Sequence, residues 1–278
     1  MLKEIIRLIV CLKVILVMIV NPVFGQDLSS IPKTAWKQLF NGKDLNDWNY
    51  HFSGYDYNVN PFNTLKVENG LLMVDYSGYK RWNGEFGHFA REEIYSYFLY
   101  AVEYRFVGDQ TPGAPGWAFR NNGIMFHSEP MSSMTKDQDF PVSVEAQLLQ
   151  RGSEENPKAV INLCNGASKT TAKENPNCSQ ELASISLNHK NDWIRAEVLV
   201  FADSLAKFIL NGDTLGVFTN FKYADSGKSI KEGRIALQAE THNTHFRKIE
   251  IVDLVGCMDP SNSNYKPYFF KNDPDACN

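Results

Sequence analysis

The sequence predicts an all-β protein built as a sandwich of two antiparallel sheets. Three observations carry that prediction. From about Lys37 to Val255 the apolar residues recur with a period of two in short runs, where a helix would give 3.6. Two of the gaps between runs, Glu68-Asn69-Gly70 and Asn211-Gly212-Asp213, hold the Asn-Gly pair that supplies the positive φ of a tight hairpin. No long stretch carries an amphipathic helical pattern.

The first 25 residues stand apart from this grammar. Lys3, Arg7 and Lys13 lie around an apolar run ending with Val14 to Val20, and Val23-Phe24-Gly25 precedes Gln26, the pattern of an export signal cut after Gly25. The alternative is a retained membrane anchor, but the uninterrupted apolar stretch is short for a bilayer, so no stable membrane span is expected after cleavage. The expected location is periplasmic or secreted. Residues 26–256 then read as one β domain. The first hairpin pairs Thr64–Val67 with Leu71–Val74, and strands follow at Tyr100–Phe106, Gly123–Phe126, Val142–Leu149 and Trp193–Phe201. A second hairpin pairs Lys207–Leu210 with Thr214–Phe218, and strands at Gly233–Ala239 and Phe246–Leu254 complete the set. About ten strands over roughly 220 residues suit a single two-sheet sandwich.

Residues 257–278 are rich in Asn, Asp and Pro, lack apolar periodicity, and form a short tail. Its carboxylates Asp259, Asp273 and Asp275 have no EF-hand spacing and read as a solvated turn. Four cysteines remain once Cys11 leaves with the signal: Cys164, Cys178, Cys257 and Cys277. An even number in an exported chain favours disulfides. Of three possible connectivities, the nearest-neighbour pairs Cys164–Cys178 and Cys257–Cys277 are expected; neither has the CxxC spacing common at zinc sites.

Composition and motifs exclude several functions. With 28 Lys+Arg against 32 Asp+Glu, a net charge of -4 and no block of like charges, the chain offers nothing to grip a nucleic acid. It has no Gly-x-Gly-x-x-Gly between strand and helix and no P-loop, so no nucleotide or redox cofactor is expected. There is no Gly-x-Ser-x-Gly turn to present a nucleophilic serine.

Alternation along the strands assigns side chains to faces. Val142, Val144, Ala146 and Leu148 form an apolar face, which puts Ser143, Glu145 and Gln147 on the other. Ile235, Leu237 and Ala239 do the same for Gln238, Glu240 and His242, and His127 falls with Met125, opposite Ile124 and Phe126. These rows can simply face water, as one side of an antiparallel sheet often does. Their amides, carboxylates and imidazoles instead match what a sheet uses to hold sugar hydroxyls. Trp48, Tyr50, Tyr55, Tyr57, Tyr79, Trp82 and Trp117 lie in segments rich in Gly, Asn and Pro, where some can serve as stacking platforms for a sugar ring and others as packing.

Leu39-Phe40-Asn41-Gly42-Lys43-Asp44-Leu45-x-x-Trp48 resembles the opening of the 3-keto-disaccharide hydrolase family, long catalogued as a domain of unknown function. Glu85-Phe86-Gly87-His88, Trp117 to His127, Gln138 to Gln147, Ile235 to His242 and Phe246 to Glu250 continue the resemblance in order over roughly residues 36–255. The Cys164 and Cys178 loop resembles the branch described as 3-keto-glucoside lyases or hydratases, and the tail from Cys257 resembles short terminal modules of exported bacterial proteins.

The resemblance implies a concanavalin-A-like jelly-roll sandwich that cleaves oligosaccharides or glycosides oxidised at C3. A ketone at C3 acidifies the C2 proton, so a base can remove it while the C1 oxygen leaves, provided the enolate is stabilised. Glu145 or His127 is then the candidate base, with Arg120, His88 or a divalent cation polarising the ketone. Gln147, Gln238, Glu240 and Trp117 are candidate substrate-binding residues, as is Asn122, which stands where many relatives have Ser. His127, Glu145 and His242 have suitable ligand types for a divalent metal. Two alternatives share these residues: a non-catalytic carbohydrate-binding sandwich, and a two-carboxylate glycosidase pairing Glu145 with Glu240 or Glu85.

Overall fold

The computed structural model describes residues 31–172, 178 and 183–278. The expected signal at residues 1–25 lies outside them. In chain order the strands are β1 (Lys37–Gln38), β2 (Asn49–Phe52), β3 (Leu65–Glu68), β4 (Leu71–Val74), β5 (Gly87–Ala90) and β6 (Tyr97–Gln110). There follow β7 (Asn121–Ser128), β8 (Val144–Gly152), β9 (Pro157–Asn165), β10 (Thr170–Thr171), β11 (Ser184–Ser186), β12 (Ile194–Phe201) and β13 (Leu205–Leu210). The last are β14 (Asp213–Phe218), β15 (Lys222–Tyr223), β16 (Arg234–Ala239), β17 (His242–Asp253), β18 (Val255–Gly256) and β19 (Lys271–Asn272). Only single 3-10 turns interrupt them among the described residues, none of which forms a helix long and apolar enough to cross a membrane.

Two large antiparallel sheets result, the concanavalin-A-like jelly-roll sandwich. One runs β14-β13-β12-β6-β17-β4-β3 with β1 added on β17; the other runs β11-β9-β8-β7-β16-β5-β2. Both expected hairpins form, with Asn69 and Gly70 at φ of 52° and 75° and Asn211 and Gly212 at 48° and 95°. Alternate residues of each strand meet in one core: Tyr100, Val102, Tyr104 and Phe106 from β6, Ile124 and Phe126 from β7, Val144, Ala146 and Leu148 from β8. Rings bridge the sheets, Phe126 of β7 lying 6.2 Å from Phe208 of β13 and Phe89 of β5 lying 6.1 Å from Phe246 of β17.

Two left-handed residues break the alternation that the sequence implies. His127 has φ 53°, and β7 carries an extra residue against β16 between the Met125–Ala236 and Ser128–Arg234 pairs. This bulge re-aims the His127 side chain. Thr241 has φ 66° and turns the chain out of β16 in one sheet into β17 in the other. Glu240, just past the end of β16, and His242, the first residue of β17, therefore belong to opposite sides of this crossing.

Disulfides join Cys164 to Cys178 and Cys257 to Cys277. The second closes the tail, where β18 and β19 pair and the Phe270 ring packs 5.1 Å from Phe201. Phe89 is fully buried between Trp48 and Phe246, so Phe89→Ala should lower unfolding free energy by about 3–5 kcal/mol, measured by urea titration.

Candidate active site

The outer face of the seven-stranded sheet is where its polar alternates line up. Register places Asn162, Gln147 and Gly123 side by side on β9, β8 and β7, and Gln238, His88 and His51 side by side on β16, β5 and β2. Because Ile124 pairs with Leu237, Gly123 falls beside Gln238 and the two triplets form one row. One residue pair along, Cys164, Glu145, Met125 and Ala236 form the next. Met131, Met134 and Phe140 fold over Met125, Ala236 and Ala90, covering that end of the face.

Gly123 determines where Glu145 can go. A Cβ on residue 123 would lie 2.3 Å from Glu145 Oε1, so the carboxyl occupies the space that any other residue would fill. From there it shares a cavity of about 270 Å³ with Gln147, Gln238 and Glu240. Trp117 and Phe140 form an aromatic wall, and Asn165, Gly166 and the Cys164–Cys178 disulfide form the facing one. Trp117 is 56% exposed and stacks on Phe86, whose ring also lies 4.9 Å from Phe140.

The two carboxyls are buried and incompletely bonded. Glu145 Oε1, Glu240 Oε2 and Gln238 Oε1 have no hydrogen-bond partner among the described residues. Burial pushes Glu145 up to about 8. Burial pushes Glu240 well above the usual carboxylate range, and the neighbouring Glu145 charge adds to the effect. No Lys or Arg lines the cavity among the described residues. At neutral pH the pair therefore retains protons, which suits one carboxyl to donate a hydrogen bond and the other, once ionised, to take a proton.

Of the residues expected at the site, Glu145, Gln147, Gln238, Glu240 and Trp117 line one cavity. His88 lies in the same row beneath Phe140, its ring 5.5 Å away, fully buried, with neither nitrogen bonded among the described residues. Burial, with His51 adding, lowers it to about 3 and keeps the imidazole neutral. The other candidates sit elsewhere. Arg120, at φ 47° just before β7, donates to Gln150 Oε1 at 2.6 Å and lines a separate cavity. Asn122 alternates with Gly123 and so faces inward, where its Nδ2 donates to the Gln238 carbonyl at 2.6 Å. His127, turned by its bulge, donates from Nε2 to the Ala202 carbonyl at 3.0 Å and packs edge-on to Phe98 and Phe126. His242, carried into the opposite sheet, packs edge-on to Phe106 and Phe119. The expected His127–Glu145–His242 metal set is thus not assembled, and no cluster of three His, Cys, Asp or Glu suited to a metal occurs among the described residues. Glu85 accepts from the Asn83 N–H at 2.7 Å and lines a third cavity with Phe62 and Tyr79.

Sequence reasoning missed Phe140, Asn165, Gly166 and the role of Gly123. Gly123 was findable, since a glycine between Asn122 and Ile124 in a strand marks a close approach once the strands flanking it are known. Among the aromatics, Trp48 and Tyr79 are packing residues, each at most 6% exposed.

Several solved structures are similar at low identity. A candidate glycosyl hydrolase from Parabacteroides distasonis is 17% identical over 80% of this chain and 97% of its own, with a TM-score of 0.49. A carbohydrate binding module from Bacillus subtilis is 13% identical over 76% and 98%, with a TM-score of 0.41. A β-1,3-1,4-glucanase from a mouse hindgut metagenome is 10% identical over 78% and 97%, with a TM-score of 0.41. No curated protein matches the sequence. Residues 35–252, which include both sheets and every lining residue of the Glu145 cavity, match the 3-keto-alpha-glucoside-1,2-lyase-like domain, and the chain belongs to that family.

Proposed function

We propose that this chain is an exported enzyme that cleaves glycosides oxidised at C3, by C2 proton abstraction and elimination at C1. The observation that carries this reading is the pair of partly unbonded, buried carboxyls of Glu145 and Glu240 in one cavity, with no cation beside them among the described residues. Glu145, ionised, takes the C2 proton. Glu240, protonated, donates a hydrogen bond to the C3 ketone oxygen as it becomes an enolate oxygen, the task a neutral carboxylic acid in an apolar site performs best. The enolate then reforms the ketone, a C1–C2 double bond forms, the C1–O bond breaks, and the departing oxygen receives the proton held by Glu145. Water added later across that double bond gives the hydrolysis product. Gln147 and Gln238 hold sugar hydroxyls, and Trp117 with Phe140 covers a ring face.

The disulfides support export, since they persist in oxidising compartments. The unoxidised glycoside lacks the acidic C2 proton. Purified enzyme should therefore release sugar from a 3-keto-disaccharide and leave the parent disaccharide intact; release from the parent alone would overturn the mechanism.

On the keto substrate, Glu145→Gln should lower kcat about 10²- to 10⁴-fold with KM little changed, because it removes the base and keeps the shape. Glu240→Gln, which retains an N–H donor, should lose less than Glu240→Ala. The base must be ionised, so kcat/KM should rise about tenfold per pH unit below about 8 and level near that value. Stability runs the other way. The folded state holds the Glu145 proton more tightly than the unfolded chain, so its contribution is complete below the ordinary carboxylate pKa and is lost as pH rises through about 8. Thermal melts should accordingly show Glu145→Gln gaining stability over the parent as pH increases from 5 to 9, about several degrees at the alkaline end.

A further inference from the structure

A fourth cavity, of about 480 Å³, opens at the ends of β7 and β16, lined by His127, Tyr223, Ile94, Glu232 and Arg234 among others. None of its residues lines the Glu145 cavity. We infer that it is a second, non-catalytic binding site for a neutral sugar ring, with Tyr223 as the stacking surface and His127 Nδ1 as a hydroxyl acceptor.

The backbone here is arranged at some cost. His127 adopts φ 53°, a region that few non-glycine residues enter, and Gly233 lies so close that a Cβ on it would fall 2.5 Å from the His127 carbonyl carbon. The bulge fixes the ring with Nε2 donating to the Ala202 carbonyl. Nδ1 is therefore the unprotonated nitrogen, and this acceptor, on a side chain only 4% exposed, has no partner among the described residues. A buried acceptor left unbonded costs free energy that a ligand hydroxyl would recover.

The rim supplies the rest. Tyr223 is 37% exposed and Ile94 55%, an unusual pairing of large apolar surfaces at a polar cavity. The Tyr223 backbone is fixed by its N–H bond to the Lys228 carbonyl, 2.9 Å, and by pairing with Thr170. Two of the three charged side chains that line it are already engaged, and the third, Glu232, is an exposed acceptor. Arg234 is already paired with Glu92 at 2.6 Å, and Glu129 accepts from the Val142 N–H and the Gln138 amide. Burial lowers His127 to about 4, so the imidazole is neutral. What remains is an aromatic face, a neutral acceptor and polar groups of both signs, the set that holds a polyhydroxylated ring.

Titrating the full chain with cellobiose and with maltose, followed by saturation-transfer NMR and calorimetry, tests this assignment. At least one sugar should bind, and binding should persist in the Glu145→Gln/Glu240→Gln double variant. Tyr223→Ala should weaken it about fivefold to tenfold, Tyr223→Phe should retain it, and Tyr223→Ala should leave cleavage of a 3-keto-disaccharide unchanged. His127→Asn, a residue that tolerates the left-handed region, should weaken binding too; should it fail to fold, the exposed Tyr223 pair decides alone. Absence of binding by both sugars up to about 10 mM overturns the inference. So does binding that Tyr223→Ala leaves undiminished, or binding abolished in the double variant.

Discussion

The site depends on one small constraint: a carboxyl can be stored in a sheet face only where a neighbouring strand leaves room for it. Gly123 leaves that room. With a side chain there, its Cβ would fall 2.3 Å from Glu145 Oε1, and the carboxyl would have to leave the place it now holds. Laid across Gly123, it is buried and loses hydration, which raises its own affinity for protons, and its charge adds to the effect of burial on Glu240. The chemistry of the cavity follows from a missing methyl group.

The contrast with the other sheet shows that this is not how a solvated face is built. On the outer side of the eight-stranded sheet, Glu103 is met by Arg195, Arg247 and Lys248 within 3.5 Å, so its acid is held ionised by cations. The cavity-lining acids of the seven-stranded sheet have no such cation beside them among the described residues. One sandwich thus carries carboxylates tuned in opposite directions, and the difference lies in what stands beside them rather than in the strands that bear them. Leaving Glu145 and Glu240 unbonded spends stability that the aromatic core between the sheets must supply.

Much of this was legible in the sequence, because period-two alternation is strict within a strand. It placed Glu145 with Gln147 and Gln238 with Glu240, and the register then joined them. The same alternation applied to residues 122 and 123 would have turned Asn122 inward. It failed at His127 and at His242 for one physical reason: a single left-handed residue, His127 itself or Thr241, resets the parity of everything beyond it. Neither is a glycine, so nothing in composition marks the break. The hairpins at Asn69-Gly70 and Asn211-Gly212 were visible because there the left-handed backbone falls on the residues that favour it. The walls supplied by Phe140 and Asn165 come from segments distant in sequence from β16, and only tertiary packing brings them together.

The Cys164–Cys178 bond has a consequence for when the cavity becomes whole. Cys164 sits on β9 directly opposite Glu145, and the bond ties Cys178 across the cavity mouth as part of its wall. Where thiols are kept reduced, Cys178 would be untied and that wall of the cavity left incomplete. Reducing that bond would open one wall of the cavity and leave untouched the strands that carry Glu145 and Gln238.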